Sequence, residues 1–286
     1  MSRVWHITGA NTGLGHELAL KALSKGDRVI AAVRTPSNAP DALQGPNVQV
    51  LQFDLSWDQD AMNDYATKAI AAFGKVDVLV NNAGYSYMGA IEESEDEAVK
   101  AQFDVNVFAT LRLIRSFLPF LRAQGSASIL NISSIGGLRS YPSNGIYCAS
   151  KFALEGITEA LADEIEPFGL KAYIIQPGYF RTSFLSSVTS GANIAPAMEE
   201  YNGTVAHEAR RAFGEISGNQ RGDPKEGAAR IWEFVADEGM FKGKEKLLRL
   251  PLGSDTGQVM RELVGELDRT ADIYEDVWRS TDFEDR

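Results

Sequence analysis

Cysteine is nearly absent from this sequence, since Cys148 is the only one among 286 residues. No disulfide can form within the chain, which is typical of proteins from a reducing compartment. Cys148 is interpreted as a small packing residue, with a redox role as the alternative. Histidine is also scarce, and the spacing of His6, His16 and His207 matches no metal-ligand pattern, so no metal site is expected.

The chain also lacks an excess of positive charge and a long apolar run. Its formal net charge of −11 at pH 7 disfavours nucleic acid or an anionic membrane as a main partner. The apolar stretch Leu111–Leu121 is interrupted by two arginines and a proline, and no segment is long enough to span a bilayer. No signal peptide is visible before the first strand-like segment. We therefore expect a soluble, cytoplasmic protein whose partner is a small molecule.

Strand-like and helical segments alternate over the first two-thirds of the chain. With 44% apolar residues, a chain of this length can form one large core. The alternation predicts an α/β fold, a doubly wound, Rossmann-like parallel sheet with helices on both faces. The predicted strands are Val4–Thr8, Arg28–Val33, Val48–Phe53, Val76–Val80, Ser128–Ile132 and Lys171–Gln176, and the predicted helices are Gly13–Lys25, Ala61–Phe73, Glu95–Leu121 and Tyr147–Ile165.

The last third of the chain has a different pattern, rich in Ser, Gly, Asn and Ala before a helical end. The sequence Asp223-Pro224-Lys225-Glu226 predicts a helix start, because it offers an N-cap, a proline at the first position and an early carboxylate. We expect one domain, 1–286, with three parts: residues 1–182 form the cofactor-binding and catalytic core, 183–222 a substrate loop or lid, and 223–286 the C-terminal helices and a last strand. Within the last part, Lys246–Leu250 is the predicted strand, and Ser254–Trp278 is predicted to form one or two amphipathic helices.

A glycine-rich turn lies between the first predicted strand and the first predicted helix. Backbone amides in such a turn can approach a pyrophosphate, and the helix N-terminus favours its negative charge. The spacing G-x-x-x-G-x-G differs from the common G-x-G-x-x-G fingerprint, so an ordinary tight turn is the alternative. The position directly after a buried strand favours a nucleotide site, formed by Gly9, Asn11, Thr12, Gly13, Leu14 and Gly15.

The second predicted strand ends in Val33-Arg34, where many nucleotide-binding sheets carry a carboxylate for the ribose hydroxyls. Arg34 can instead accommodate a ribose 2′-phosphate, and no carboxylate at this point would repel one. This residue favours NADP over NAD. A solvated loop cation is the alternative, since a lone arginine is not a specific signal.

Tyr147 and Lys151 lie four residues apart at the start of a predicted helix, and therefore on one face of it. A nearby ammonium favours the anionic form of a phenol. We therefore expect Lys151 to lower the pKa of Tyr147 toward acid/base work at neutral pH. A pair of surface neighbours is the alternative, because many helices carry this spacing by chance.

Together with Asn81-Asn82-Ala83-Gly84, Ser133-Ser134 and Pro177-Gly178, these motifs resemble the short-chain dehydrogenase/reductase family, in its compact single-domain branch. The resemblance covers about residues 4–182 in the family's order and spacing. It implies that Tyr147 donates a proton to a developing alkoxide and that Ser134 orients the carbonyl oxygen. It also implies that Lys151 binds the nicotinamide ribose.

The resemblance implies further contacts beyond the carboxyl ends of the strands, where ligands bind in an open parallel sheet. Asn106, on a helix, would organise a proton-relay water. Asp54 and Leu55 would lie beside the adenine, and Thr182 would hold the nicotinamide carboxamide. The remaining implied cofactor contacts are Asn81, Ala83, Gly84, Pro177 and Gly178.

Aromatic residues near these motifs predict a pocket for an apolar or ring-bearing substrate. The alternative is that several of them belong to the core. In this family the helices Glu95–Leu121 and Tyr147–Ile165 usually form the dimer face, which implies a homodimer or homotetramer. The candidate pocket residues are Tyr85, Tyr87, Tyr141, Tyr179 and Phe184.

The predicted function is an NADPH-dependent carbonyl reductase, or the same enzyme run as an alcohol dehydrogenase, with Tyr147 as general acid/base. One alternative is a same-fold enzyme that catalyses dehydration, epimerisation or cyclisation around bound NADP. The other is a non-catalytic NADP(H)-binding sensor, although such proteins usually lose the tyrosine or the lysine.

Overall fold

Seven strands form the central sheet of the computed structural model, which describes residues 2–189, 191 and 193–283. The strands are β1 (Val4–Thr8), β2 (Arg28–Val33), β3 (Val48–Gln52), β4 (Val78–Asn81), β5 (Ala127–Ile132), β6 (Leu170–Pro177) and β7 (Arg249–Leu252). Their order is β3-β2-β1-β4-β5-β6-β7, and every neighbouring pair is parallel. The order reverses between β1 and β4, which opens a crevice at the carboxyl ends of these strands.

Helices cover both faces of the sheet, as predicted. None of the helices in the described ranges combines the length and hydropathy of a membrane span. The helices are α1 (Gly13–Ser24), α2 (Gln59–Phe73), α3 (Asp96–Phe103), α4 (Ala109–Gln124), α5 (Gly145–Ile165), α6 (Phe184–Thr189), α7 (Val205–Ile216), α8 (Pro224–Ala236), α9 (Ser254–Ile273) and α10 (Glu275–Arg279).

The two hydrophobic cores follow from the alternation of side chains along each strand. On one face, Trp5 and Ile7 of β1 pack with apolar residues of α1 and α8. On the other face, Val4 packs with apolar residues of α2, α4 and α5. Because both faces are covered, the strands are apolar almost throughout, as expected for a parallel sheet. The predicted fold class is confirmed.

One buried carboxylate connects three parts of the first core. Asp27, at the end of the α1–β2 turn, is only 3% exposed. Its Oδ2 accepts hydrogen bonds from the indole nitrogens of Trp5 on β1 and Trp232 on α8, each at 2.9 Å. Its Oδ1 accepts a bond from the backbone N–H of Arg3 at 2.9 Å. Asp27 therefore ties the first strand and α8 to the same turn.

The long helix predicted over Glu95–Leu121 is interrupted. It consists of α3, one π-helical turn over Asp104–Phe108, and α4, which continues to Gln124. The extra residue of a π-turn shifts the helix register, and such turns are frequent at functional sites. Here the turn contains Asn106, which is buried.

The last strand lies three residues beyond the start of its predicted position, at Arg249–Leu252 instead of Lys246–Leu250. Its register pairs Leu250 with Ile175 and Leu252 with Pro177 of β6. Leu250 and Leu252 are buried by that pairing, whereas Leu247 is 62% exposed. Pairing with β6 determines the strand, and the apolar pair Leu247-Leu248 is a misleading local signal.

The segment predicted as a substrate loop or lid consists of loops and the short helices α6 and α7. Its 12-residue helix α7 buries Ala206 and Phe213 on one side. Residues 190 and 192 of the predicted loop lie outside the described residues. Helix α8 begins where the sequence predicts, because the Asp223 carboxylate caps it by accepting a hydrogen bond from the N–H of Lys225 at 2.8 Å.

Candidate active site

A cavity of about 1000 Å³ opens at the carboxyl edge of the sheet, on the crevice between β1 and β4. It extends from the glycine-rich turn to the start of α5, and therefore brings most of the predicted site residues together. The predicted residues that line it are Gly9, Asn11, Thr12, Gly13, Leu14, Arg34, Asp54, Leu55, Ala83, Gly84, Tyr85, Ser134, Tyr141, Tyr147, Lys151, Pro177, Gly178, Tyr179, Thr182 and Phe184.

The glycine-rich turn requires its glycines for two different reasons. Gly9 and Gly13 have φ angles of +66° and +58°, a conformation that other residues rarely adopt. Gly15 has an ordinary φ but no free space, because a Cβ there would lie 2.4 Å from Nδ2 of Asn82. Gly15 therefore supports the turn without lining the cavity.

Asn82 belongs to a motif that the sequence shows but was not among the predicted cofactor contacts, and it holds the turn against β4. Its Nδ2 donates to the carbonyl of Thr8 at 2.8 Å. In return, Oγ1 of Thr8 accepts the backbone N–H groups of Asn82 and Ala83, at 2.9 and 3.0 Å. These bonds fix the glycine-rich turn relative to the loop after β4. Only the fold indicates them, because the two partners are 74 residues apart.

Asn81 lies on the opposite side of the backbone from Asn82. Its Nδ2 donates to Asn131 of β5 at 2.7 Å, and Asn131 donates in turn to Thr158 of α5 at 2.7 Å. Asn81 is 5% exposed and does not line the cavity. Asn81, predicted as a cofactor contact, therefore instead links β4 to β5 at the carboxyl edge of the sheet, because consecutive residues at a strand end point in opposite directions.

Ser134 and Tyr147 both line the cavity, and the Ser134 hydroxyl is close enough to the phenol to lower the pKa of Tyr147. Ser134 follows β5 and caps a short 3-10 turn, where its Oγ accepts the N–H of Gly136 at 3.0 Å. Tyr147 is in the first turn of α5 and is 6% exposed. The end of a strand and the start of a helix thus place two hydroxyl groups in the same cavity.

Lys151 lies one turn after Tyr147, with its ammonium 5.7 Å from the centre of the tyrosine ring. It donates to the carbonyl of Ile132, at the end of β5, at 2.8 Å. Burial lowers the pKa of Lys151 to about 8, and the charge of Glu155 partly opposes this. At neutral pH, Lys151 therefore loses its proton more readily than an exposed lysine does.

The expected lowering of the Tyr147 pKa by Lys151 is not found in this structure. Burial raises the pKa of Tyr147 above its ordinary value, and the hydrogen bond with Ser134 opposes this only in part. The cost of burying the phenolate outweighs the stabilisation of that anion by the nearby Lys151 ammonium, which donates a hydrogen bond to the backbone carbonyl of Ile132. Tyr147 is therefore protonated at neutral pH, which is the form of a proton donor.

Glu155 is a buried carboxylate beneath the site that the sequence analysis missed. Its oxygens accept bonds from Ser133 at 2.6 Å and from Gln176 at 2.9 and 3.0 Å. Burial raises the pKa of Glu155, while these two bonds and the charge of Arg249 lower it. Because Glu155 lies four residues after Lys151, the same helical spacing that identified Lys151 could have identified it.

Asn106 supports the site from outside the cavity. Its side chain bonds both backbone groups of Tyr85, with the N–H donating at 3.1 Å and the carbonyl accepting at 2.9 Å, and it also donates to Ser150 at 3.1 Å. A Cβ on Gly84 would lie 2.9 Å from Oδ1 of Asn106. The described contacts of Asn106 therefore position the loop after β4 next to α5.

Four of the five predicted substrate residues line the cavity. Tyr147 and Phe184 have ring centres 5.9 Å apart, and Tyr179 packs against Phe213 of α7 at 6.2 Å. Tyr87 is the exception. It is 6% exposed and does not line the cavity, and its N–H donates to the side chain of Gln102. The alternative that some of these aromatics belong to the core fits Tyr87.

The far end of the cavity contains Arg34 and Asp54. The Asp54 carboxylate accepts the N–H of Ser56 at 2.9 Å. This bond lowers the pKa of Asp54, burial opposes the change, and the Arg34 charge contributes to the lowering. With the positive-φ glycines at its centre and the tyrosine at its other end, the cavity fits a nicotinamide dinucleotide.

The comparisons identify the family. A profile of the short chain dehydrogenase family matches residues 3–193. An uncharacterised oxidoreductase of Bacillus subtilis, YusZ, is 33% identical over 257 residues, which are 86% of this chain and 88% of that protein. The chain belongs to the short-chain dehydrogenase/reductase family and is an oxidoreductase of that family, as the motifs predicted.

Two solved structures agree with this assignment. A short-chain dehydrogenase from Streptomyces avermitilis superposes with a TM-score of 0.86 at 33% identity, covering 99% of this chain and 100% of that one. A family member from Burkholderia phymatum, solved in complex with NAD, superposes with a TM-score of 0.72 at 27% identity, covering 82% and 86% of the two chains.

The tight contact at Gly15 predicts a loss of cofactor affinity when a methyl group is added. In Gly15→Ala, the new Cβ would collide with Asn82, and the turn would have to shift. Overpacking of this kind costs about 1–3 kcal/mol, so we expect the dissociation constant for NADPH to rise about tenfold. The measurement is a fluorescence titration of the purified variant with NADPH.

Gly265→Ala is the matched control, because a Cβ at Gly265 in α9 has no atom within 4 Å. It should bind NADPH like the parent protein. Parental affinity in Gly15→Ala would show that the turn accommodates the methyl group, and would remove the role assigned to this close contact.

Proposed function

We propose that this oxidoreductase uses NADP(H) to interconvert a carbonyl group and a secondary alcohol, with Tyr147 as general acid/base. The placement of Ser134, Tyr147 and Lys151 in the same cavity as the glycine-rich turn carries the proposal. When bound, the nicotinamide supplies or accepts the hydride. The chain's own residues supply the proton, the orientation and the apolar surroundings.

In the reduction, Tyr147 donates its proton to the substrate oxygen as negative charge develops there. Ser134 donates a hydrogen bond to the same oxygen and fixes its direction, an electrostatic role that is most effective where water is excluded. Lys151 would contact the nicotinamide ribose and favour the tyrosinate that remains after proton transfer. In the oxidation, Tyr147 takes the proton back.

The cofactor would be held by the residues that line the cavity from Arg34 to Thr182. The glycine-rich turn at the N-terminus of α1 suits the pyrophosphate. Arg34 suits a ribose 2′-phosphate, since the guanidinium is exposed at the end of β2 and no carboxylate immediately follows that strand. The Burkholderia phymatum protein was solved with NAD, so the preference for NADP requires its own test.

That test is the substitution Arg34→Ala. Hydrogen bonds to charged groups contribute about 1.5–3 kcal/mol, so we expect the parent protein to bind NADPH at least about tenfold more tightly than NADH. In Arg34→Ala the two affinities should become similar, through weaker binding of NADPH alone. Titration of each protein with both nucleotides measures the difference.

Arg122→Ala is the control for this experiment, because Arg122 is an exposed cation in the last turn of α4 that does not line the cavity. It should leave the preference unchanged. Equal affinities for the two nucleotides in the parent protein would contradict the role of Arg34.

For the substrate, we propose an apolar or ring-bearing carbonyl compound. Tyr141, Tyr179, Phe184 and Phe213 line the cavity, and the ring centre of Phe184 lies 5.9 Å from that of Tyr147. Apolar and aromatic walls with few polar anchors are typical of such pockets. A panel of quinones, aromatic ketones, steroids and aldehydes, assayed by NADPH oxidation, tests the class.

The same assay separates the two alternatives. A non-redox enzyme would transform a compound without net consumption of NADPH, and a sensor would bind NADPH without turnover of any compound. The presence of Ser134, Tyr147 and Lys151 together favours the redox function, since a sensor needs none of the three.

A homodimer or homotetramer through α4 and α5 remains part of the proposal. Phe108, just before α4, is 47% exposed, and Phe152 of α5 is 43% exposed. Exposed aromatics on this pair of helices suit a protein interface. A cytoplasmic location, based on the composition alone, also remains a prediction.

A further inference from the structure

The C-terminal helices α9 and α10 project from the body of the molecule. Only the start of α9 is anchored, where the Asp255 carboxylate accepts the N–H of Tyr179 at 2.8 Å and Thr256 is buried. Arg139 adds an exposed ion pair to Glu266 at 2.7 Å. Beyond that, every described residue from 264 to 283 is exposed. These helices therefore form an arm with little support from the rest of the chain.

The arm carries a continuous apolar stripe. Val264, Leu267 and Tyr274 are 62%, 59% and 55% exposed, and Trp278 is 47% exposed. The stripe repeats with alternating spacings of four and three residues, as on a helix that packs along another helix. It crosses the non-helical residue Tyr274 between α9 and α10, where the indole nitrogen of Trp278 donates to the carbonyl of Ala271 at 3.1 Å and keeps these two residues on one side. Its members are Met260, Val264, Leu267, Ala271, Tyr274 and Trp278, flanked on one side by Leu263 and Val277.

Most helical stability in proteins comes from packing of an apolar face, and the arm leaves its apolar face uncovered. An exposed stripe of this extent marks an interaction surface. Residues 254–279 contain seven acidic and three basic side chains, so an anionic membrane would repel the arm. The surface that binds the arm must therefore be apolar along its centre and must carry charges complementary to those that flank the stripe.

We propose that the arm pairs with the same arm of a second copy, side by side and antiparallel. In that arrangement the stripe packs on itself in layers. Met260 meets Trp278 of the partner subunit, Val264 meets Tyr274 of the partner subunit, and Leu267 meets Ala271 of the partner subunit. A twofold axis then passes near Arg269.

Charge complementarity supports this register. The residues that follow Met260, Leu267 and Tyr274 flank the stripe on one side, and they are Arg261, Asp268 and Glu275. Antiparallel pairing places Arg261 against Glu275 of the partner subunit, twice by symmetry. On the other flank, Leu263 faces Val277 of the partner subunit, which widens the apolar core.

A parallel arrangement lacks this match. It would set Leu263 against Asp268 of the partner subunit and Thr270 against Glu275 of the partner subunit, with no pair of opposite charges. The antiparallel register has one cost, since Asp268 meets Asp268 of the partner subunit near the twofold axis. This surface is separate from α4 and α5, and it does not depend on the proposed reaction.

The first test is the molar mass of Leu267→Glu, measured by light scattering after size-exclusion chromatography. A carboxylate in the centre of the stripe should halve the mass of the assembly, from dimer to monomer or from tetramer to dimer. Leu247→Glu is the control, because Leu247 is 62% exposed but lies outside the arm, and it should keep the parental mass. Equal masses for Leu267→Glu and the parent protein would overturn the proposal.

The second test addresses the register. Arg261→Glu should raise the dissociation constant of the arm contact about tenfold, because two attractive pairs become repulsive. The double variant Arg261→Glu with Glu275→Arg should restore it. Failure of the double variant to recover affinity would exclude the antiparallel register even if Leu267→Glu dissociates the assembly.

A cysteine near the twofold axis gives an independent readout. Thr270→Cys should form a disulfide between two copies on mild oxidation, because Cys148 is buried and leaves the introduced thiol as the reactive one. Equivalent oxidation of Glu262→Cys, on the outer face of α9, should give no crosslinked dimer. Crosslinking of both variants to the same extent would indicate random collision and contradict the pairing.

A membrane is the competing occupant, and neutral vesicles of phosphatidylcholine test it. Flotation of the parent protein with such vesicles, lost in Leu267→Glu, would overturn the proposal. Turnover of NADPH should be the same in Leu267→Glu and the parent protein, since Leu267 does not line the cavity. Loss of assembly with retained turnover therefore distinguishes this surface from the active site.

Discussion

Tyr147→Phe is expected to lower kcat for carbonyl reduction by about 10²- to 10⁴-fold, the range for removal of a general acid. The phenylalanine keeps the ring that packs near Phe184 but loses the hydroxyl proton that we propose is transferred to the substrate oxygen. Binding of NADPH should change little, because the glycine-rich turn and Arg34 are untouched. Steady-state turnover and a nucleotide titration on the same preparation measure the two effects.

Tyr179→Phe is the matched control, because Tyr179 lines the same cavity and burial raises its pKa to about 12. Its hydroxyl has no assigned part in proton transfer, so kcat should stay within a few-fold of the parent value. Near-full turnover in Tyr147→Phe would refute the proton-donor role. A loss of NADPH binding in that variant would point to a structural role instead.

Asp27→Ala is expected to lower the free energy of unfolding by about 2–5 kcal/mol. The substitution leaves two buried indole N–H groups and one backbone N–H without their acceptor, and an unsatisfied buried donor costs about 1–3 kcal/mol. The loss should also loosen α8 from the first strand, because Trp232 and Trp5 share the same carboxylate oxygen. Urea unfolding followed by tryptophan fluorescence measures it directly.

Asp163→Ala serves as the surface control, since Asp163 is exposed on α5. A substitution at such a position usually changes stability by less than about 0.5 kcal/mol. If Asp27→Ala were as stable as Asp163→Ala, the three hydrogen bonds to Asp27 would contribute nothing net. The assigned link between the first strand and α8 would then be wrong.

Most of the secondary structure could be predicted because buried parallel strands are short apolar runs and their helices begin at recognisable caps. Asp223 shows how local this information is, since one side chain and the proline after it determine where α8 begins. The last strand shows the limit. Leu250 and Leu252 become a strand because they pair with β6, and the more apolar-looking Leu247 is left exposed.

The candidate site divides in the same way. The glycine-rich turn, Ser134, Tyr147 and Lys151 are local motifs, and each falls in the cavity. Thr8 and Asn82 are hydrogen-bonded across 74 residues, and Glu155 contacts Ser133, just after β5, and Gln176 of β6. No window of sequence contains both partners of these contacts.

The pKa of Tyr147 is the clearest case in which folding reverses a local expectation. Helical spacing alone places Lys151 beside Tyr147 and predicts a lower pKa, whereas burial raises it. Residue spacing determines which groups share a face, and it therefore identified the class of fold, the family and the pair that we propose as the reacting groups. How far those groups are exposed to solvent depends on the packing of the whole chain. Only the tertiary structure therefore determined the pKa of Tyr147, the contacts that support the site, and the exposure of the C-terminal arm.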